Sequence, residues 1–266
     1  MANLRKDYRV GAFEVNWQSS PNSILHQIKE NCSVFRADFP AGYAIWRLWR
    51  GPEGVAPLVL IHGGWGSWTH WIKVIPNLTL SRSVLAVDLP GMGESSDISI
   101  NNGLADLSEI IADNIEKIVQ GQKIYDLVGF SFGAIVASEV AVLHGPLCRT
   151  LIAVGAAGFG SLHSIVEGIK IPHASYPSKK KDIIHKKNLS LLMLSDEQKI
   201  DDLAIYVHRK NIERGRFRSR KISLSSKFVE NLPKIRAQIG GIWGALDSTG
   251  GGESNIEERK RVMRQF

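Results

Sequence analysis

The stretch LVGFSFGAIVASEV, Leu127 to Val140, sets one hydroxyl between two glycines, Gly129-Phe130-Ser131-Phe132-Gly133, where two apolar runs meet. The first run, IYDLVG (Ile124 to Gly129), has the length and apolar content of a strand buried on both faces. The second, Phe132 to His144, is apolar nearly all round and predicts a buried helix. A serine at such a junction sits on a sharp turn, and its neighbours must be small for strand and helix to pass closely. The helix N-terminus behind it offers free N–H groups and partial positive charge, which favour an oxyanion. The spacing points to a nucleophilic Ser131. The plainer alternative is a passive serine in a glycine-rich turn.

Similar apolar runs recur on both sides of this stretch. APLVLIHGG (Ala56 to Gly64), SVLAVDLPG (Ser83 to Gly91), TLIAVGAAG (Thr150 to Gly158) and QIGGIWG (Gln238 to Gly244) read as strands, as does GYAIWRLWRG (Gly42 to Gly51) with its near period of two. Between them, Leu104, Leu107, Ile110, Ile111, Ile115 and Ile118 form one helical stripe from Leu104 to Val119. Strands alternating with helices predict an α/β fold with a mostly parallel sheet flanked by helices. The rhythm breaks after Gly160. Residues 161–233 are polar, basic and irregularly helical, which predicts a helical cap over the sheet's carboxyl edge. The expected division is 1–160 for the first part of the core, 161–233 for the cap and 234–266 for the rest of the core.

Composition bounds the partners. The chain has 266 residues, 44% hydrophobic and 22% charged, ordinary values for a soluble globular protein. Cys32 and Cys148 make neither a disulfide framework nor a metal pattern, which fits a reducing compartment. The start, MANLRKDYRVGAFEVNW, has no secretory apolar core, and no run reaches the roughly 18 apolar residues of a membrane span. The expectation is a cytoplasmic protein with no membrane partner, its oligomeric state left open. The net charge of +7 is concentrated in SKKKDIIHKK (Ser178 to Lys187) and RGRFRSRK (Arg214 to Lys221). Such runs attract anions or nucleic acid, or simply form a solvated face. Neither is interleaved with aromatics as single-strand binders are, so no nucleic-acid partner is expected.

A second motif closes an earlier strand. His62-Gly63-Gly64 in LIHGGWGSW (Leu60 to Trp68) has glycines that let main-chain N–H groups approach a substrate oxygen. Gly64 and Trp65 are the expected donors, opposite the N–H of Phe132. Each such donor stabilises a transition state by about 2.7–4 kcal/mol. His62 reads better as a residue that orders the loop than as a proton carrier. Trp65, Trp68 and Trp71 suit either a pocket lining or core packing.

With HGGWGSW, DLPGMGES (Asp88 to Ser95), GFSFGA (Gly129 to Ala134) and IWGALD (Ile242 to Asp247) in that order, the chain resembles the α/β-hydrolase superfamily over about residues 34–266. The finer likeness is to capped esterases and to carbon–carbon bond hydrolases of aromatic meta-cleavage products. The resemblance implies a cap inserted after the sixth strand, a Ser131 nucleophile, and Asp247 as the acid that fixes an imidazole. It makes Asp88 part of a structural turn. It also implies a small-molecule substrate met by Trp65, Phe130 and cap arginines such as Arg216, Arg218 and Arg220, with no cofactor and no metal. The expected reaction is hydrolysis of a carboxylic ester or related carbonyl compound. The alternatives are cleavage of a carbon–carbon bond and a catalytically inactive, ligand-binding relative.

The family's base follows its acid, yet all eight histidines here (His26, His62, His70, His144, His163, His173, His185 and His208) precede Asp247. Nineteen residues follow it, reading as a glycine loop and a basic helix. The sequence therefore predicts a chain cut short of its last strand, histidine loop and closing helix, and so inactive or impaired as written. Losing the base of a serine protease costs about 10⁶ in kcat.

Overall fold

The computed structural model describes residues 13–98, 103–119, 124–162 and 164–266. His163 and most of the N-terminal stretch read above lie outside them. Seven strands, β1 (Ser33–Phe39), β2 (Gly42–Trp49), β3 (Leu58–Ile61), β4 (Val84–Asp88), β5 (Tyr125–Phe130), β6 (Cys148–Val154) and β7 (Gln238–Ile242), form one sheet. Their order is β1-β2-β4-β3-β5-β6-β7. The β1–β2 and β2–β4 pairs are antiparallel and the others parallel. The helices are α1 (Pro21–Glu30), α2 (Ile75–Leu78), α3 (Leu104–Ile118), α4 (Phe132–His144), α5 (Ser178–Leu192), α6 (Asp202–Arg214), α7 (Arg220–Ser223), α8 (Lys227–Asn231) and α9 (Glu253–Met263).

The central strands are wholly apolar because both faces are covered. Val59, Ile61, Leu85 and Val87 pack with Leu107 and Ile111 of α3 and Ile135 and Val136 of α4. Leu58, Leu60, Val84 and Ala86, alternating with them, pack with Ile24 and Ile28 of α1 and Leu203 and Val207 of α6. The period-two side-chain alternation of a strand thus feeds two cores from one four-residue run.

Two expectations change. The sequence shows six strands, and β1 is a seventh, on the outer edge beside β2. The expected loss of a further strand and helix is not shown: β7, the strand expected at Gln238, forms beside β6, and α9, the expected basic helix, packs against it. Among the described residues no helix is long and apolar enough to cross a membrane.

After β3 the chain adds β4 on one side, then returns to add β5 on the other. The carboxyl ends of β3 and β5 therefore flank the point where the winding reverses, where open α/β sheets bind ligands. The helix α4 leaves this point so close to β3 that a Cβ on Gly133 would lie 2.3 Å from the carbonyl oxygen of His62 and 2.5 Å from that of Ile61. The Ile61 oxygen cannot retreat without distorting β3. Gly133→Ala is expected to cost at least about 1–3 kcal/mol, the usual penalty for overpacking. Thermal denaturation would show a fall in Tm of several degrees, and an unchanged Tm would contradict this packing.

Candidate active site

β3 and β5 are parallel neighbours with Ile61 beside Gly129, so the chain beyond each strand emerges side by side. Ser131 follows β5 with φ 52° and ψ −118°, in the left-handed region that non-glycine residues avoid. Holding it there costs about 1–3 kcal/mol. The surroundings fix it: its N–H donates to Val154 at 2.9 Å, and its carbonyl accepts from Ala134 at 3.0 Å and Ala157 at 3.3 Å. Gly129 is small for the expected reason, since a Cβ there would lie 2.5 Å from the α4 backbone.

The loop after β3 faces this turn. A Cβ on Gly63 would sit 3.2 Å from the Ser131 Cβ, and one on Gly64 would sit 3.8 Å from the Phe132 Cβ. Trp65, at φ 53°, is the other described non-glycine residue in the left-handed region. Among the described residues, no acceptor meets the N–H groups of Gly64, Trp65 or Phe132. Three free donors thus border a half-buried hydroxyl at a helix N-terminus, the arrangement that stabilises an oxyanion.

Two histidines hold the loop. His62 Nε2 accepts from the Leu89 N–H at 2.9 Å, so Nδ1 carries the proton and donates to the Gly63 carbonyl at 2.7 Å. Burial holds its imidazole below the usual range, against the pull of Asp88. His70 Nδ1 accepts from the Gly63 N–H at 3.3 Å, and its ring meets Phe130 edge-on. Burial, with His62 and His208 nearby, holds His70 down to about 3. Both are neutral loop supports. Asp88 is structural as well: it accepts from the N–H groups of Trp68 and Glu94 and pairs with the buried Arg47.

Asp247 lies in the loop after β7. Its Oδ1 accepts from Thr249 N, Thr249 Oγ1 and Gly250 N, at 2.7–3.0 Å, while its Oδ2 accepts from no described residue. That second oxygen would lie 3.6 Å from a Cβ on Gly155, the residue after Val154, and Phe130 borders the same spot. Asp247 and Ser131 therefore share the end of β6. No described histidine hydrogen-bonds to either.

Other residues assigned from sequence fall less directly. The Phe130 ring is engaged by His70 and Trp71, and Trp68 and Trp71 are in the core. A Cβ on Gly215 would meet the Trp65 ring at 2.4 Å. Arg216 is held by Asp97 and by the carbonyls of Arg214 and Ser95. Arg218 and Arg220 are exposed, with no ion pair among the described residues. Between and beside these arginines lie two residues the sequence did not reveal. Phe217 packs on Phe132, and the buried Ser219 puts its hydroxyl 2.4 Å from where a Gly64 Cβ would be. An alternation of aromatic, small and arginine residues was the available signal. Arg259 of α9 was also missed. It is fully buried and donates to the carbonyls of Ala156, Leu162 and Thr249, tying the Asp247 loop to the chain after β6.

A serine in a strained strand-to-helix turn, facing a glycine loop at the switch point of this sheet, decides the family of folds. The chain has the α/β-hydrolase fold. Residues 56–184 match the family model described as alpha/beta hydrolase fold. The 2-hydroxymuconate semialdehyde hydrolase of Pseudomonas sp. (strain CF600) is 36% identical over 129 residues, 46% of this chain and 43% of that protein. The pimeloyl-[acyl-carrier protein] methyl ester esterase of Yersinia enterocolitica is 34% identical over 119 residues, 44% of this chain and 43% of that protein. An esterase from Rhodococcus sp. ECU1013 superposes with a TM-score of 0.63 at 19% identity, over 85% of this chain and 86% of that one. These two curated relatives are named as hydrolases, while an acetyltransferase component of the acetoin cleaving system of Pseudomonas putida is also 36% identical, over 110 residues, 41% of this chain and 29% of that protein. The matches to these two curated relatives span less than half of either one's length.

The neutral histidines give this α/β-hydrolase fold an acid sensitivity. His70 and His208, held down to about 3 and about 4, both titrate below the ordinary 6.5. Between those values the unfolded chain binds more protons, so stability is full above pH 6.5 and is lost as pH falls toward 3. His70→Gln keeps an acceptor for Gly63 but cannot charge. It is expected to flatten the fall of Tm between pH 6.5 and 4, and an unchanged slope would contradict the neutral assignment.

Proposed function

We propose that this chain is a serine hydrolase acting on a carboxylic ester or related carbonyl compound. The observation that carries the reading is Ser131, strained and half-buried beside three unoccupied N–H donors. Ser131 Oγ attacks the carbonyl carbon, and the oxyanion is met by Phe132 N–H with Gly64 or Trp65 N–H. The serine proton passes to a base from solution and then to the leaving oxygen. The carbon–oxygen bond breaks and the alcohol departs. Water in turn loses a proton as it cleaves the acyl-enzyme, releasing the acid and restoring the Ser131 hydroxyl. Asp247 is the acid of the triad. One of its oxygens is saturated by its own loop, and the other is left to accept from an imidazole N–H and fix its tautomer. The residues between β6 and β7 serve as the cap, with Phe217 packed on Phe132 and Ser219 against Gly64.

Because no described histidine bonds to Ser131 or Asp247, turnover by this chain is expected to be slow and open to rescue by a base in solution. Added imidazole should raise p-nitrophenyl butyrate hydrolysis above the uncatalysed imidazole reaction, by about tenfold or more given the roughly 10⁶ that a missing base costs. Ser131→Ala should show no such gain. Equal rates for the two proteins would overturn the serine reading and leave a ligand-binding relative.

A second reading, cleavage of a carbon–carbon bond in an anionic diketone, is favoured by Arg218 and Arg220. They stand unpaired on either side of Ser219 and next to the oxyanion loop, and one relative is a semialdehyde hydrolase. Removing both arginines should then raise KM for a carboxylate-bearing substrate much more than for a neutral ester. Equal effects on the two would contradict it.

A further inference from the structure

The basic run at Ser178 to Lys187 forms α5, and a strap of chain from Ser164 to Pro177 lies antiparallel against it. Lys170 exchanges two hydrogen bonds with the Asn188 side chain, at 3.0 and 2.7 Å, and Gly168 lies against Leu191. At the other end the Lys180 ammonium sits 3.7 Å over the Tyr176 ring. The strap and helix form one surface. That surface is unusual in what it exposes: Ile165 at 60%, Ile171 at 74% and Ile183 at 63%, with Ile169 and Met193 also exposed. Buried His185, Asn188 and Leu189 mark the opposite, inward face of α5.

Ile183 is the informative residue. Its neighbours on the helix surface, three and four positions away in each direction, are Lys179, Lys180, Lys186 and Lys187. All four are exposed. Residues 164–193 carry six lysines against Glu167 and Asp182. Asp182 is already paired with Arg209, and Lys187 makes a long 3.7 Å contact with Glu197. A face that only needs solvating has no use for isoleucines at its centre, and a face that binds a soluble anion has none either.

We propose that the strap and α5 form a docking surface for the anionic headgroup layer of a lipid bilayer. The isoleucines enter the apolar boundary while the lysine stems lie along them and carry the ammonium groups to phosphates. The earlier expectation of no membrane partner rested on the lack of a spanning segment, and a surface that lies on a bilayer needs none. The surface borders the proposed site: Ser164 N–H donates to Thr249 in the Asp247 loop, and Ser248 Oγ donates to the Leu191 carbonyl at 2.5 Å. Docking would hold that loop next to lipid-borne substrate.

The test is sedimentation with vesicles of phosphatidylcholine, with and without phosphatidylglycerol, which needs no turnover and so stands apart from the hydrolase reading. The wild-type chain should partition onto the anionic vesicles about tenfold or more above the zwitterionic ones. Salt should weaken that binding. The variant Lys179→Gln, Lys180→Gln, Lys186→Gln, Lys187→Gln and the variant Ile171→Ser, Ile183→Ser should each lose most of it. Equal wild-type binding to both vesicle types, or none, overturns the proposal without any variant. If the lysine variant loses binding but the isoleucine variant binds like wild type, charge alone is at work. That result suits an acidic protein partner and also overturns it.

Discussion

Gly133 has no side chain because the backbone of β3 occupies the space, with two carbonyl oxygens closer than any Cβ could tolerate. This contact sets the distance between α4 and the sheet. It brings the N-terminus of α4, the end of β5 and the loop after β3 into one small region. Gly129 against α4 and Gly63 against Ser131 are further consequences of the same close approach. The strain at Ser131 is offset by its three backbone hydrogen bonds and by the apolar burial of α4, which is packed on nearly every side. A larger residue at any of these glycines would push the serine away from the free N–H donors beside it.

The rest of the site is held by buried polar groups. His62 ties the oxyanion loop to the turn after β4, and Asp88 ties that turn to Trp68 and Arg47. Arg259 does the same for the Asp247 loop from the far end of the chain. Breaking such a pair by removing one partner leaves a buried group uncompensated, at about 3–5 kcal/mol for a charge. These groups therefore act as fixed supports, and none of them is placed to move a proton.

Much of this was legible in the sequence because backbone requirements leave strong marks. Glycines at Gly129 and Gly133, apolar runs of strand length, and a fully apolar Phe132–His144 announce the strand–turn–helix and its serine. β1 was missed although SVFRADF alternates, Phe35, Ala37 and Phe39 half-buried against exposed Arg36 and Asp38, because an edge strand with one wet face lacks the continuous apolar run that marks the central strands. α1 carried a readable start, with Ser20 capping Ser23 N–H and Pro21 at the first turn, but its apolar residues are few. The alternation in RGRFRSRK sets Phe217 and Ser219 apart from the arginines, but the partners of Phe217, Ser219 and Arg259 could not be read from it. They depend on where a long connection folds back, which local pattern does not encode. The basic RGRFRSRK run read as a charged face. In the fold its even-numbered arginines are exposed, while Phe217 packs on Phe132 and Ser219 lies against Gly64.

The central claim is that Ser131 is a nucleophile set beside oxyanion donors rather than a passive turn residue. Intact-mass and peptide-mass analysis after exposure to a fluorophosphonate tests it directly, because phosphonylation needs the oxyanion donors as well as the hydroxyl. With imidazole added to supply the base, the account predicts a single adduct, on the peptide containing Ser131, formed faster than on any other serine and abolished by prior heat denaturation. No adduct, or labelling scattered over surface serines at equal rates, would contradict it.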